Sequence, residues 1–227
     1  GNHRCFSIQR EGDEVKLSPQ SAFKHQEDIL WCFYEEGEIY FVDATLTLYE
    51  YSIADKTKYY IQDINHLITR NGDISSIIKH SGDFYVGFTN SGLVRIKNMP
   101  DHRNQYQIVD LSFRPGVLSL CKDRYQDIVW IGTNGQGVSM LFNEASSLAA
   151  VLSASLSNSI QTPITALYRD DKQTLWIGSA GNGIVSIYDY SPERSTGSRS
   201  EFFLPYNSLL GSNTINAFAR SSKNLLW

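Results

Sequence analysis

Apolar and polar residues alternate along most of this chain in short runs, and the runs recur. The clearest is Thr174-Leu-Trp-Ile-Gly-Ser-Ala-Gly-Asn-Gly-Ile-Val-Ser-Ile187. It returns as Ile128-Val-Trp-Ile-Gly-Thr-Asn-Gly-Gln-Gly-Val-Ser-Met-Leu141. With tyrosine for tryptophan, it returns again as Phe84-Tyr-Val-Gly-Phe-Thr-Asn-Ser-Gly-Leu-Val-Arg-Ile96. Each copy has an aromatic residue, a glycine two places on, a glycine seven places on, and an alternating apolar tail. That order predicts a strand, a tight turn and a second strand. A degraded copy covers Ile29 to Val42, and another begins at Leu225-Leu-Trp227. Taking the aromatic as marker gives Trp31, Tyr85, Trp130, Trp176 and Trp227, spaced by 54, 45, 46 and 51 residues.

A second pattern lies upstream of each marker. Leu118, Ile164 and Ile215 stand twelve residues before it, and Cys121, Leu167 and Phe218 nine before it. In the Tyr85 copy the pair is one residue closer, as Ile74 and Ile77. A fixed apolar pair predicts a strand that presents one face to a repeated core. In this alignment Cys121 takes an apolar slot, so it reads as a buried filler rather than a reactive thiol. A strand-built unit recurring every 45 to 50 residues or so marks β-propeller blades. The expected fold is all-β, with about 4–5 blades of four antiparallel strands. Residues 1–227 would form a single β-propeller domain or part of one. Gly132 and Gly178 are expected where a neighbouring backbone comes close. Gly135, Gly137, Gly181 and Gly183 are expected to supply the positive φ of tight hairpins.

The remaining segments fit around these copies. Cys5–Ile8 and Glu14–Leu17 read as two short strands about a Gly12-Asp13 turn. Thr45–Ile53, Lys58–Ile61, Tyr106–Leu111 and Glu201–Leu204 read as further strands. Glu144–Leu156 is rich in Ala and Ser, which favours helix, but the repeat register asks for an outer strand there, and the register is preferred. Ser191–Ser200 reads as a polar surface loop. Trp227 falls in mid-repeat, so the expectation is a fragment of a larger propeller. The alternative is a five-bladed ring closed by the N-terminal strands.

Composition narrows the class. The 227 residues are enough for a sizeable core, and 12% aromatic with 19% charged residues fits a globular β protein. No apolar run approaches the roughly 18 residues of a membrane span. No basic-then-apolar leader opens the sequence, so a signal peptide is expected to be absent already. Net charge is −4 with scattered lysines and arginines, which argues against nucleic acid as a partner. Cys5, Cys32 and Cys121 lack metal-type spacing; one disulfide between two of them stays open.

Candidate chemistry is sparse. His3, His25, His66, His80 and His102 are too dispersed to make a metal pair, and no metal or cofactor is expected. The Gly-rich turns lead into strands, unlike phosphate loops, which feed a helix. Asp171–Trp176 resembles the Asp-box turn of sialidases but departs from it at the glycine and the threonine. The acid pairs Glu35/Glu36 and Asp170/Asp171 are expected as solvated hairpin tips. No catalytic residue is singled out, and ligand-binding residues stay unassigned. Trp130 and Trp176 are expected in the core. Tyr125 and Tyr206, as loop aromatics, are better placed to meet a ligand.

The phrase Asp-x-x-x-x-Leu-Trp-Ile-Gly-Ser/Thr-x-Gly-x-Gly-Ile/Val resembles the two-component regulator propeller repeat. Asp170–Ile187 and Asp127–Leu141 carry it best, with Asn213–Phe218 and Leu226-Trp227 opening another copy. The Trp31 copy departs most, lacking the glycine. The resemblance implies the periplasmic sensor region of a hybrid two-component system, an inner-membrane protein with its histidine kinase outside this chain. It implies an oligosaccharide ligand that is bound without catalysis. The implied partners are further blades and sensor domains of the same protein, in a homodimeric parent. A propeller glycoside hydrolase or lyase, or a protein-binding scaffold, is the alternative.

Overall fold

The structure, a computed structural model, describes residues 6–11, 14–19, 28–90, 92–99, 105–142, 147–150, 162–188, 190, 199–221 and 226. Alternating sequences pair as the pattern asks. β1 (Phe6–Glu11) and β2 (Glu14–Pro19) form a two-stranded hairpin. Four antiparallel sheets of four strands follow. The first holds β3 (Ile29–Glu35), β4 (Glu38–Asp43), β5 (Thr47–Ser52) and β6 (Thr57–Asp63). The second holds β7 (Ile74–His80), β8 (Asp83–Phe88), β9 (Leu93–Asn98) and β10 (Tyr106–Asp110). The third holds β11 (Val117–Lys122), β12 (Ile128–Thr133), β13 (Val138–Phe142) and β14 (Ser147–Ala150). The fourth holds β15 (Ile164–Arg169), β16 (Leu175–Ser179), β17 (Ile184–Tyr188) and β18 (Arg199–Phe203). The chain is therefore nearly all-β, in blades of the propeller type. β14 falls within Glu144–Leu156, so register prevailed there over helix propensity. Trp227, most of Ser191–Ser200 and Cys5 lie outside the described residues.

One short helix, α1 (Asn65–Asn71), has no counterpart in the repeat pattern. Asp63 accepts the Asn65 amide at 2.8 Å and starts it. Gly72, at φ +88°, follows its last residue, where a left-handed residue commonly stops a helix.

The chain divides into two compact units, residues 1–69 with 100–106, and residues 70–99 with 107–227.

The first sheet corrects the marker series. Tyr85, Trp130 and Trp176 lie on second strands, but Trp31 lies on a first strand, β3. The second strand of that sheet is β4, and its matching aromatic is Tyr40. The turn before Tyr40 is Glu36-Gly37, with φ of 52° and 91°. The turn before Tyr85 is Ser81-Gly82, with φ of 50° and 83°. Markers at 40, 85, 130 and 176 are spaced by 45, 45 and 46. One backbone bond repeats with that period: Ala44, Thr89, Asn134 and Ala180 each donate N–H to the carbonyl of Asp28, Asp73, Gly116 and Pro163 respectively. Glu35–Glu38 is thus the turn between first and second strands, not a shortened form of the later Gly-rich turns.

The second unit shows why the glycines recur. Its first strands pack on one another, β11 against both β7 and β15. A Cβ on Gly87 would sit 2.5 Å from Cγ1 of Val117, one on Gly132 2.7 Å from Cγ2 of Ile164, and one on Gly178 2.6 Å from Cγ2 of Ile215. At Gly87 and Gly178 the branched side chain that opens the next blade comes closest; at Gly132 Ser119 Oγ of the same blade comes closest, with the Ile164 side chain and carbonyl behind it. Gly92, Gly137 and Gly183 accept the amide of Phe88, Thr133 and Ser179 and hold positive φ. Two apolar clusters fill the spaces between blades. Tyr85, Leu93, Val117, Leu120, Val129, Ile131 and Leu141 lie between the second and third sheets. Trp130, Met140, Ile164, Leu175, Ile177 and Ile187 lie between the third and fourth.

Strand register also moves two expected slots. Leu120 pairs with Ile131 as Leu167 pairs with Ile177, whereas Cys121 faces Trp130 as Tyr168 faces Trp176. Val117, not Leu118, holds the position of Ile164, because the turn between β11 and β12 takes one residue from the strand. Cys121 is still partly buried against the Trp130 cluster, as a filler should be.

Candidate functional site

The residues most visible in the sequence are committed to building blades. Trp130 is fully buried, and its indole Nε1 donates to Asp123 Oδ2 at 3.1 Å. Trp176 is half-buried, and its Nε1 donates to Asp170 Oδ2 at 2.9 Å. The other oxygen of each carboxylate closes the turn. Asp123 Oδ1 accepts from the Tyr125 and Gln126 amides, and Asp170 Oδ1 from the Lys172 and Thr174 amides. Asp170 is thus a turn staple rather than a freely solvated acid. Thr133 and Ser179 clamp the Gly-rich turns by donating to the carbonyls of Gly137 and Gly183. These polar groups are spent on shaping the turns.

Contacts between neighbouring turns hold blades together in the second unit. His80 Nε2 lies 2.7 Å from Asp127 Oδ1, and Ser81 donates to the same oxygen at 3.0 Å. Arg169 Nε lies 3.0 Å from Asp123 Oδ2, with both side chains buried. Arg220 donates to Asp171 at 2.5 Å. The Arg220 guanidinium holds the Asp171 carboxyl below the usual carboxylate range. Burial pushes the Cys121 thiol up to about 11. Cys121 is a free thiol. Tyr125 and Tyr206 are exposed, as expected of loop aromatics, but the structure does not bring them together with other candidate groups. Among the described residues no group of three His, Cys, Asp or Glu is placed to hold a metal ion. No helix among them is long and apolar enough to cross a membrane.

A concave site does exist in the first unit. It is a groove of about 360 Å³ over β4, β5 and β6. Glu38, Glu50, Ser52, Asp55, Tyr59 and Tyr60 line it. β4 supplies Glu38, opposite Ser52 on β5. Glu50 on β5 stands directly opposite Tyr59 on the outer strand β6. Ser52 donates to Glu38 Oε1 at 3.3 Å, and the Ile53 amide donates to Glu38 Oε2 at 2.9 Å, so Glu38 is held in place. Tyr60 is fixed at its hydroxyl, which accepts the Asp63 amide at 2.9 Å, and its ring meets Tyr49 edge-on. Tyr59 and Tyr60 are 39% and 55% exposed; the Tyr59 ring shares the sheet face of Glu50, and the Tyr60 ring lies with Tyr49 on the other face. Sequence reasoning named none of these residues. Most of them stand on the third and outer strands, β5 and β6, and the turn between, where the pattern does not repeat; the one available signal was the clustering of acids and tyrosines in Thr45–Ile61.

Comparison with known proteins agrees with this architecture. Residues 158–181 match the family described as two component regulator propeller. No curated protein matches the chain. Among solved structures, it is similar to the extracellular domain of the hybrid two component system BT4673 from B. thetaiotaomicron. The TM-score is 0.62 at 18% identity, over 98% of this chain and 29% of that one. It is also similar to PorZ, a surface component of the type-IX secretion system of Porphyromonas gingivalis, with TM-score 0.62 and 14% identity over 90% of this chain and 32% of that one. The WD40 repeats of RRP9 give a TM-score of 0.55 and 12% identity over 80% of this chain and 53% of that one. The chain thus spans less than a third of the first two structures, and the likeness to all three is one of fold. Residues 158–181 match a two component regulator propeller repeat, in a chain of propeller-type blades.

Proposed function

We propose that this chain is part of the ligand-sensing propeller of a hybrid two-component regulator, on the periplasmic side of the inner membrane. It binds an oligosaccharide-type signal without transforming it, and the signal passes to a histidine kinase outside these 227 residues. The observation that carries this reading is the regulator-propeller repeat at residues 158–181. The fold shared with the extracellular domain of a hybrid two-component system supports it. So does the use of the conspicuous polar groups, Asp123, Asp170, Thr133 and Ser179, as turn staples. Further blades and sensor domains of the same protein complete the sensing region, which works as a homodimer. Signalling then needs only differential affinity: a sugar that binds one arrangement of the paired domains more tightly shifts the population toward it.

Calorimetry with a panel of defined oligosaccharides, followed by product analysis of each sample, tests the reading. The expected result is saturable binding by at least one sugar, with every sugar recovered intact. Cleavage would replace the sensor with a glycan-acting enzyme. No binding by any sugar, to this chain or to one extended by its flanking blades, would favour a protein-binding scaffold.

A further inference from the structure

The groove in the first unit has a definite chemical character. Three carboxylates line it, from Glu38, Glu50 and Asp55, and no lysine or arginine does. Glu38 and Asp55 are partly used, since Ser52 donates to both. Glu50 and Tyr59 are paired across β5 and β6, and their side chains make no hydrogen bond or ion pair with the described residues. An acidic side chain beside an open aromatic ring suits a cation, which gains from the carboxylate charge and from the ring face together. The same sheet shows the ring half of that chemistry nearby, where Lys58 Nζ sits 4.1 Å above the Tyr49 ring. Hydroxyl groups on a ligand would find acceptors in the same carboxylates, because bonds to a charged acceptor are the stronger kind. A ring face of C–H groups would find Tyr59, which shares the sheet face of Glu50. An anionic ligand would meet three like charges.

We infer that the groove lined by Glu38, Glu50, Asp55, Tyr59 and Tyr60 binds a saccharide carrying a protonated amino group. The ammonium lies against Glu50 and the ring of Tyr59, and the sugar ring extends toward Ser52, Asp55 and Glu38. The saccharide part of this assignment rests on the sensing function proposed above; the ammonium part rests on the groove itself. It excludes uronate and sulfated glycans as ligands of this groove, although they could bind elsewhere on the parent.

The test compares the glucosamine tetrasaccharide with its fully N-acetylated counterpart by calorimetry on the 227-residue chain. The two differ in charge but not in ring number. The free-amine form is expected to bind about tenfold more tightly or better, the scale of one ammonium contact with a carboxylate and a ring. Its affinity is expected to fall as salt is raised, since a partly open ion contact is screened. Glu50→Gln and Tyr59→Ala should each weaken it about tenfold without moving the melting temperature, because both side chains lie on the groove surface. Equal affinity for the two tetrasaccharides, or unchanged affinity in Glu50→Gln, would overturn the assignment. Failure of both tetrasaccharides to bind would overturn it as well. Binding of a neutral or acidic sugar from the wider panel, unaffected by either variant, would leave the sensing function standing and remove only this groove.

Discussion

Arg169 Nε lies 3.0 Å from Asp123 Oδ2, and the two side chains are 1% and 0% exposed. The same Asp123 oxygen takes the Trp130 indole hydrogen, so one carboxylate holds its own turn, its own blade's tryptophan and the next blade's arginine. Among the described residues the guanidinium nitrogens have no hydrogen-bond acceptor, which leaves Asp123 as the charge that balances Arg169. Removing that charge strands a buried cation. Asp123→Asn is expected to destabilise the chain by about 3–5 kcal/mol. Arg169→Met, which removes the cation and keeps an apolar stem, should lose clearly less. Urea unfolding of both variants, followed by intrinsic tryptophan fluorescence and circular dichroism, measures the difference; equal losses would mean that the pair acts only by shape.

Gly132 and Gly178 give a second test, because each holds the place where the next blade enters. A Cβ on Gly178 would meet Ile215 Cγ2 at 2.6 Å, and one on Gly132 would overlap Ser119 Oγ and meet Ile164 Cγ2 at 2.7 Å and the Ile164 carbonyl at 3.0 Å. Each glycine→Ala change should cost about 1–3 kcal/mol, the range for overpacking a filled core. Because the obstacle at Gly178 is a side chain, Gly178→Ala with Ile215→Ala should recover part of the loss. Gly132→Ala with Ile164→Ala should recover less, since Ser119 Oγ and the Ile164 carbonyl still block it. Thermal unfolding of the four single variants and two doubles closes the two cycles.

These two sites show what made the fold legible. The glycines two and seven places after the aromatic are demanded by close packing and by positive φ, and such demands leave a fixed spacing in the sequence. The first sheet meets the same turn by other chemistry. Asp43 Oδ1 accepts the amides of Thr45 and Thr47, so the glycine expected after Tyr40 is not needed, and the copy was misread as starting at Trp31. The slot of Cys121 was misplaced because a one-residue shift in the turn at Asp123 cannot be seen from spacing alone. α1 was missed because one buried leucine, Leu67, carries no period. The groove escaped for a deeper reason: Glu50, Tyr59 and Tyr60 lie on third and outer strands, where each blade differs, and a ligand site unique to one blade has no repeat to announce it.

Cys121 yields a prediction about alkali. Burial raises its thiol to about 11, above the ordinary 9.0, so the folded chain keeps a proton that the unfolded chain gives up. The stabilising contribution is therefore full below pH 9.0 and is lost as pH rises toward 11. The loss should be on the order of 2 kcal/mol. Cys121→Ser should flatten that limb of the stability curve. At pH 8 an alkylating reagent should modify exposed Cys32 well before Cys121, read by peptide mass mapping. Equal rates at the two cysteines would show that Cys121 is open to solvent.

Asp171 and Arg220 make the contrasting case of an exposed pair. Arg220 donates to Asp171 at 2.5 Å and lowers the carboxyl below its ordinary 3.8. A depressed carboxylate stabilises the folded chain above the ordinary value, and the contribution disappears as pH falls through the folded one. The Asp171 side chain is 52% exposed, so water and salt weaken the pair and its contribution to stability should be slight. The titration is the better measurement. Followed by carboxyl NMR, Asp171 should titrate below 3.8 at low salt, and Arg220→Gln should return it toward that value. Raising the salt should narrow the gap between the two proteins, because an exposed pair is screened. An Asp171 midpoint at the ordinary value with Arg220 present would mean that the contact joining these two turns does not persist in solution.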